Sequence, residues 1–459
     1  MSGKQTRFFD PQSYSSQPSD PRPADPPPSN SQPSGSQPSD LQLSNPQPSD
    51  LLVQRDLRPF MLLEIATLLS GIGNGVAAIA LPWLTLQLTG DPAAAGMVVA
   101  AGAVPALAAS LVSGVIIDRF GQKRSSVGSD VISALSAAMI PVFALFGMLG
   151  YPLVLVASVV GATFDPLGVT AREALLPDVA EQACLRLERV NTMHEAVWGI
   201  AWLAGPGLAG FLISTVGAEN SFWVMAAGFV ASILSMAAMP LKRKSSRSSE
   251  KRHWIAEAIE GARFVIGEPA IRSTTIVANV SFVAAYSTVA VVLPVVFERL
   301  CKPKELGVLV MAYSMGGVIG ALAYGAVAER LPRRTAYIAG LVATVAMLAV
   351  FVTPAPYWAQ LLAMGFGGLL NGPVSPIFNT ILQERTAKEM RGRALSMVFS
   401  FAYALLPVGY ISAGFLINAI GIPWTLAVMT AVALVAAVWS VITPAMRDIE
   451  APEIAELVQ

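Results

Sequence analysis

Gly114-Val115-Ile116-Ile117-Asp118-Arg119-Phe120-Gly121-Gln122-Lys123 and Gly325-Ala326-Val327-Ala328-Glu329-Arg330-Leu331-Pro332-Arg333-Arg334 are two copies of one phrase. Each closes a long apolar run with an acid and an arginine, then continues into further basic residues. A second shared feature lies downstream of each copy. Gly161 to Pro166 and Gly367 to Pro373 both join a Gly-rich start to a polar residue and a proline. The chain therefore reads as two parallel repeats, one recurring plan for transporters.

Outward from these phrases, apolar runs alternate with short polar breaks. A bilayer core takes roughly 20 apolar residues per helix. This places helices 1 to 6 at about 60–88, 93–117, 126–148, 151–173, 191–215 and 219–240. Helices 7 to 12 follow at about 271–298, 304–328, 336–354, 356–383, 392–419 and 421–445. The expected fold is an all-α membrane protein with twelve transmembrane helices in two pseudo-symmetric six-helix bundles. Residues 56–240 form the first half and 271–445 the second. The intervening 241–270 is a basic linker, in which Trp254, Ile255, Ile259, Ala262 and Ile266 have the spacing of an amphipathic surface helix.

Composition agrees with this reading. Hydrophobic residues make up 54% of the 459 and charged residues 13%, against about a quarter in soluble domains. Mean hydropathy is +0.58. A formal net charge of +0 offers no footing for nucleic acid. Cys184 and Cys301 fall on opposite membrane faces and are not expected to pair. Two histidines make no metal cluster, so no metal or other cofactor is expected. With no nucleophile–base set and no nucleotide-binding loop, neither an enzyme nor an ATP-driven pump has support.

Residues 1–55 differ in kind. They are rich in Pro, Ser, Gln and Asp and repeat Gln-Pro-Ser-Asp at 17–20, 37–40 and 47–50. Such a segment buries too little apolar surface to offset its ordering entropy, so a disordered tail is expected. It lacks the apolar core of a signal peptide. A short tail over 446–459 closes the chain.

Charge sets the orientation. Basic residues near membrane spans mark the cytoplasmic side. Arg119, Lys123 and Arg124 follow helix 2, and Arg172, Arg186 and Arg189 lie between helices 4 and 5. Arg330, Arg333 and Arg334 follow helix 8, and Arg385, Lys388, Arg391 and Arg393 lie between helices 10 and 11. The opposite loops are nearly free of Lys and Arg, apart from Arg299, Lys302 and Lys304. Both termini are then cytoplasmic, in a bacterial inner membrane, and a monomer is expected.

At these residues the chain resembles the major facilitator superfamily over roughly 56–445. Gly114 to Arg124 is similar to the family's loop 2–3 signature. Gly205-Pro206-Gly207-Leu208-Ala209-Gly210 resembles the Gly-Pro motif in helix 5 of its antiporter branch, with Ala209 in place of a second glycine. Ala80-Leu81-Pro82-Trp83, Asp165-Pro166, Gly372-Pro373 and Arg391-Gly392-Arg393 are similar to bacterial exporters related to macrolide-efflux and enterobactin-export proteins. The resemblance implies proton-coupled export of an amphipathic small molecule, with helices 1, 4, 7 and 10 lining the cavity.

Ionisable groups within the membrane are costly and default to functional hypotheses. Asp165, beside Pro166 in helix 4, is the sharpest case: a carboxyl gaining and losing a proton there would couple efflux to a proton gradient. Its alternative is a carboxylate that caps the proline-broken helix or pairs with Arg172. Glu64 in helix 1 and Glu195 in helix 5, next to His194, are further proton-coupling candidates. For Glu195 the alternative is a surface pair with Arg189 or Arg172.

A short loop is expected to bring Asp118 and Asp130 together with Arg119, Lys123 and Arg124. By the resemblance, this set with Gly114 and Gly121 latches the halves on the cytoplasmic face, and Glu329 and Arg330 form a second copy. The alternative is basic loops that only orient the helices. Asn74, Asn279, Tyr286, Asn371 and Asn379 are the mid-depth cavity candidates, or else bonds between neighbouring helices. Gly205, Pro206 and Gly210 are expected to let helix 5 bend and press on the other half. The low acidic content suits a lipophilic ligand better than a sugar. The competing functions are a nutrient facilitator or importer on the same fold, and a sensor that kept the fold without transport.

Overall fold

In hydrocarbon no water is available to backbone N–H and C=O groups, so each apolar run must satisfy them internally as a helix. The computed structural model describes residues 56–240, 263–328, 330–386 and 391–446, together with Ile449. Among these, twelve helices are long and apolar enough to cross a membrane. Helices 1 to 6 are Arg58–Thr89, Pro92–Phe120, Gln122–Leu145, Tyr151–Glu173, Leu187–Val216 and Ala218–Ala238. Helix 7 runs Pro269–Ser287, passes through a π-helical turn at Thr288–Val292, and continues as Leu293–Arg299. Helices 8 and 9 are Pro303–Val327 and Arg333–Val352. Helix 10 is Tyr357–Asn371 and then Val374–Arg385. Helices 11 and 12 are Arg391–Ile420 and Ile422–Ile442. A connector helix, Leu176–Gln182, lies between helices 4 and 5. The expected tail over 1–55, the linker over 241–262 and Glu329 fall outside the described residues.

The ends of these helices follow from their sequence. Proline occupies the first turn of helices 1, 2, 4, 7, 8 and 12, where its missing N–H would have no partner in any case. Gly217 and Gly421 join helices 5–6 and 11–12 with φ of +90° and +82°, a backbone geometry that side chains other than glycine's resist. The same turn in the same place is a structural trace of the repeat.

Packing repeats as well. Helix 1 lies on helices 5 and 6, helix 2 on helix 4, and helix 3 on helices 4 and 6; helices 7, 8 and 9 take the matching partners in the second half. Across the halves, helix 2 packs on helix 11 and helix 5 on helix 8.

Those crossings are concentrated at one end. A Cβ added to Gly96 would lie 2.4 Å from the Tyr410 carbonyl, and one on Gly414 would lie 2.5 Å from that of Pro92. On the other side, Gly207 is pressed by Met311, and a Cβ on Gly210 would lie 2.4 Å from the Pro303 carbonyl. Asn418 donates to Asp91 at 2.6 Å, and Lys304 sits 5.6 Å above the Phe211 ring. These contacts join the start of helix 2 to the end of helix 11 and the end of helix 5 to the start of helix 8. The opposite end, which carries the basic loops, is splayed. Nothing lies within 4 Å of a Cβ placed on Gly114 or Gly325, and Val115 and Leu322 are 68% and 72% exposed. The halves therefore meet at one end and separate at the basic end.

Candidate functional site

Helix 4 runs unbroken through Pro166, and Asp165 just before it is half-buried. Its carboxylate accepts a hydrogen bond from the Asn74 amide of helix 1 at 2.6 Å. Arg172, two turns further along helix 4, is not its partner. The Arg172 guanidinium lies 1% exposed against Asp130 of helix 3, at 2.5 and 2.7 Å, and also donates to Ser126. Ser232 of helix 6 donates to the second Asp130 oxygen at 2.7 Å. Asp165 is thus joined to a neutral amide, while the nearest guanidinium is taken by another carboxylate.

Serines on helix 3 make this approach possible. Ser125, Ser126, Ser129, Ser133 and Ser136 are all buried at helical spacing. Ser129 donates to the Phe164 carbonyl and Ser136 to that of Ala157, each at 2.7 Å. Their small size lets helix 3 press against helix 4, and their hydroxyls supply bonds that an apolar stripe lacks.

The second half contributes an aromatic wall. Tyr286 is 40% exposed and stacks on Phe282 with ring centroids 4.0 Å apart. Tyr313, Tyr403 and Tyr410 lie within electrostatic reach of Tyr286 or of one another, and Tyr403 within reach of Asp165. Asn371 donates to Thr344 at 3.0 Å and accepts from Tyr313 at 3.4 Å. Asn379 is half-buried. Asn279, expected to line the cavity, is 6% exposed and sits inside its own half. Among the candidate residues, then, Asn74 and Asp165 meet directly, and Tyr286 and Asn371 belong to the facing half.

The loop signature is arranged differently from expectation. Asp130 does not meet Asp118, because its pairing with Arg172 and Ser232 draws it into the bundle. Lys123 caps helix 6 of its own half, donating to the carbonyls of Ala237 and Met239 at 2.9 and 2.8 Å. A cation there meets the negative end of the helix dipole and its unpaired carbonyls. Arg334, aligned with Lys123, does the same in the second half by donating to the Val441 carbonyl at 3.0 Å. Asp118, Arg119, Gly121 and Arg124 are exposed at the splayed end, as is Arg330, with Arg119 over the Phe120 ring.

Glu195 is exposed, and the pair expected for it with Arg172 does not form. Its neighbour His194 is the engaged residue: the Nδ1 atom lies 3.0 and 3.2 Å from the two Glu64 oxygens. A partner 130 positions away in sequence leaves no local signal. In helix 5, Gly205 and the Pro206 ring pack against Gly75 of helix 1 in the same half, while the Pro206 carbonyl, Gly207 and Gly210 make the contact with helix 8 across the halves. The helix is continuous from Leu187 to Val216, so Pro206 causes no break in it.

Two pseudo-symmetric six-helix bundles, joined at one end and splayed at the other, define a membrane transporter of the major facilitator class. Within it, the chain belongs to the transmembrane secretion effector family, whose model matches residues 56–457. It is 36% identical to the multidrug efflux pump Tap of Mycolicibacterium fortuitum, over 85% of this chain and 97% of that one. It is 23% identical to the enterobactin exporter EntS of Citrobacter koseri, over 73% and 79%. The crystal structure of the nucleoside transporter NupG matches with a TM-score of 0.66 at 12% identity, covering 83% and 97%, a likeness of fold alone.

Proposed function

We propose that the chain exports an amphipathic small molecule across a bacterial inner membrane by alternating access, in exchange for protons taken up at Asp165. The relatives named for multidrug efflux and enterobactin export support the direction and the breadth of substrate. Basic loops support cytoplasmic termini, which makes the splayed end cytoplasmic and this conformation inward-facing.

The observation that carries the coupling is the Asp165–Asn74 bond. A carboxylate held in the membrane by an amide, without a cation of its own, is costly when charged. Taking up a proton relieves that cost, and opening toward the other side exposes the group to a different proton activity. Substrate then competes for the same polar face, opposite the tyrosine wall. In the inward-facing state the exposed Asp118, Arg119 and Arg124, together with Gly114, Gly121 and Arg330, have no closed face to latch. We assign their latch role to the outward-facing state, where it shifts the equilibrium by its differential energy only.

Efflux of a lipophilic dye, followed with and without a protonophore, tests this reading. Wild-type efflux collapses on protonophore addition, and Asp165→Asn at matched expression shows no protonophore-sensitive efflux. Full protonophore-sensitive efflux in Asp165→Asn would make Asp165 structural.

A further inference from the structure

The Glu64–His194 pair has no part in the coupling described above. Glu64 lies ten residues before Asn74 on helix 1, about 15 Å at 1.5 Å per residue. Both groups are removed from solvent: His194 is 3% exposed and Glu64 8%. The imidazole Nδ1 faces the carboxylate at 3.0 Å, while Nε2 is buried without any hydrogen-bond partner. Leu63 and Ala66, beside Glu64 on helix 1, and Val190, one turn before His194 on helix 5, belong to one buried apolar cluster with Leu175, Val179 and Met236.

The two protonation states of this arrangement are unequal. With a neutral imidazole, Nδ1–H donates to Glu64, the carboxylate keeps a full negative charge in apolar surroundings, and Nε2 holds an unused lone pair. A proton added at Nε2 breaks no bond and turns the buried anion into an ion pair. A buried charge without its partner is strongly destabilising, whereas the pair is tolerated. The unpartnered Nε2 is the acceptor that this step needs.

We propose that Glu64 and His194 form a second proton-binding site of the transporter, in the N-terminal half at the basic-end mouth, whose occupancy strengthens the seam between helices 1 and 5. Other titratable groups stand nearby. Arg172 is engaged by Asp130. Glu173 at the end of helix 4 and Glu195 on helix 5 are exposed and flank the approach, with Glu173 in electrostatic reach of His194. Asp178 and Glu181 lie on the connector helix, and helix 6 carries Glu219 only at its opposite end. Protons therefore exchange with water at the mouth past an acidic rim. The proposal adds a site to the proton-coupled reading, and it stands or falls separately from Asp165.

The chain contains two histidines, His194 and His253, so His253→Gln leaves a single imidazole to observe. In the purified full chain labelled with 15N-histidine, the spectrum is expected to show Nδ1–H, with Nε2 taking up a second proton as pH falls. Adding Glu64→Gln removes the anion and raises the proton concentration needed by about tenfold or more. In vesicles, the pH profile of dye efflux by Glu64→Gln shifts in the same direction. An imidazole that holds one tautomer from about pH 5 to about pH 9 overturns the proposal. So does a transition that Glu64→Gln leaves in place. Neither result touches Asp165, and loss of the Asp165 reading leaves the histidine spectrum unchanged.

Discussion

The two halves share one architecture and differ in chemistry. In the N-terminal half the buried groups include Glu64, Asp130, Arg172 and His194. In the C-terminal half, among the described residues, the buried polar groups are those of serine, threonine, asparagine and tyrosine. Aligning the loop phrases puts Leu341, 1% exposed, opposite Asp130. Aligning Gly161 with Gly367 puts Asn371 opposite Asp165, an amide of the same shape without the charge.

Helices 8 and 10 instead meet backbone to backbone. A Cβ on Gly320 would fall on the Leu369 carbonyl, and Gly316, Gly368 and Gly372 are equally close to carbonyls of the facing helix. The corresponding helices 2 and 4 meet through Gly102, Ala162 and Ser158. On the proposed coupling, the N-terminal half is the part that handles protons, and the C-terminal half is a tightly packed body whose ion pairs, Arg333–Glu384 and Arg385–Glu268 among them, lie outside its buried core.

The contrast can be broken at its charges first. Arg172→Leu or Asp130→Leu alone should destabilise the protein by about 3–5 kcal/mol, because each leaves an unpaired buried charge. The double variant should recover most of that loss, since the positions aligned with Asp130 and Arg172 in the second half, Leu341 and Phe378, are already apolar. Thermal unfolding in detergent checks this, and a double variant as unstable as either single one would contradict it.

Glycine packing comes next. Gly320→Val should cost about 1–3 kcal/mol by overpacking helix 10, whereas Gly114→Val, in open space, should leave the melting temperature nearly unchanged.

The smallest effect is expected at the closed end. Asn418→Ala removes one exposed hydrogen bond to Asp91, about 0.5–1.5 kcal/mol, and leaves the Asp91 cap of helix 2 in place. That should shift the population toward the outward-facing state by about two- to tenfold. Spin labels at Val115→Cys and Leu322→Cys, across the splayed end, would report a larger short-distance fraction.

Much of this fold was legible in the sequence because bilayer thickness and backbone satisfaction leave few options. Twelve apolar runs, the duplicated phrase around Asp118 and Glu329, and Gly372-Pro373 as an interruption of helix 10 all have local signals. The π turn of helix 7 has only Pro294 to mark it. The buried pairs were not legible. Arg172 with Asp130, and His194 with Glu64, depend on which faces of separate helices meet, and charge near a span looks the same whether it orients a loop or enters the bundle. Lys123 is the instructive case: its motif suggested a bond across the halves, and its geometry is a helix cap within one. The serines of helix 3 carried a readable signal in their three- and four-residue spacing, which marks a polar helix face buried against a neighbour.

The central claim is that the coupling proton resides on Asp165. In proteoliposomes, a downhill flux of dye through the wild type should drive measurable proton movement in the opposite direction. Asp165→Asn should still exchange dye across the membrane while moving no protons. Dye-driven proton flux in Asp165→Asn equal to that of the wild type would contradict the account and place the coupling elsewhere in the chain.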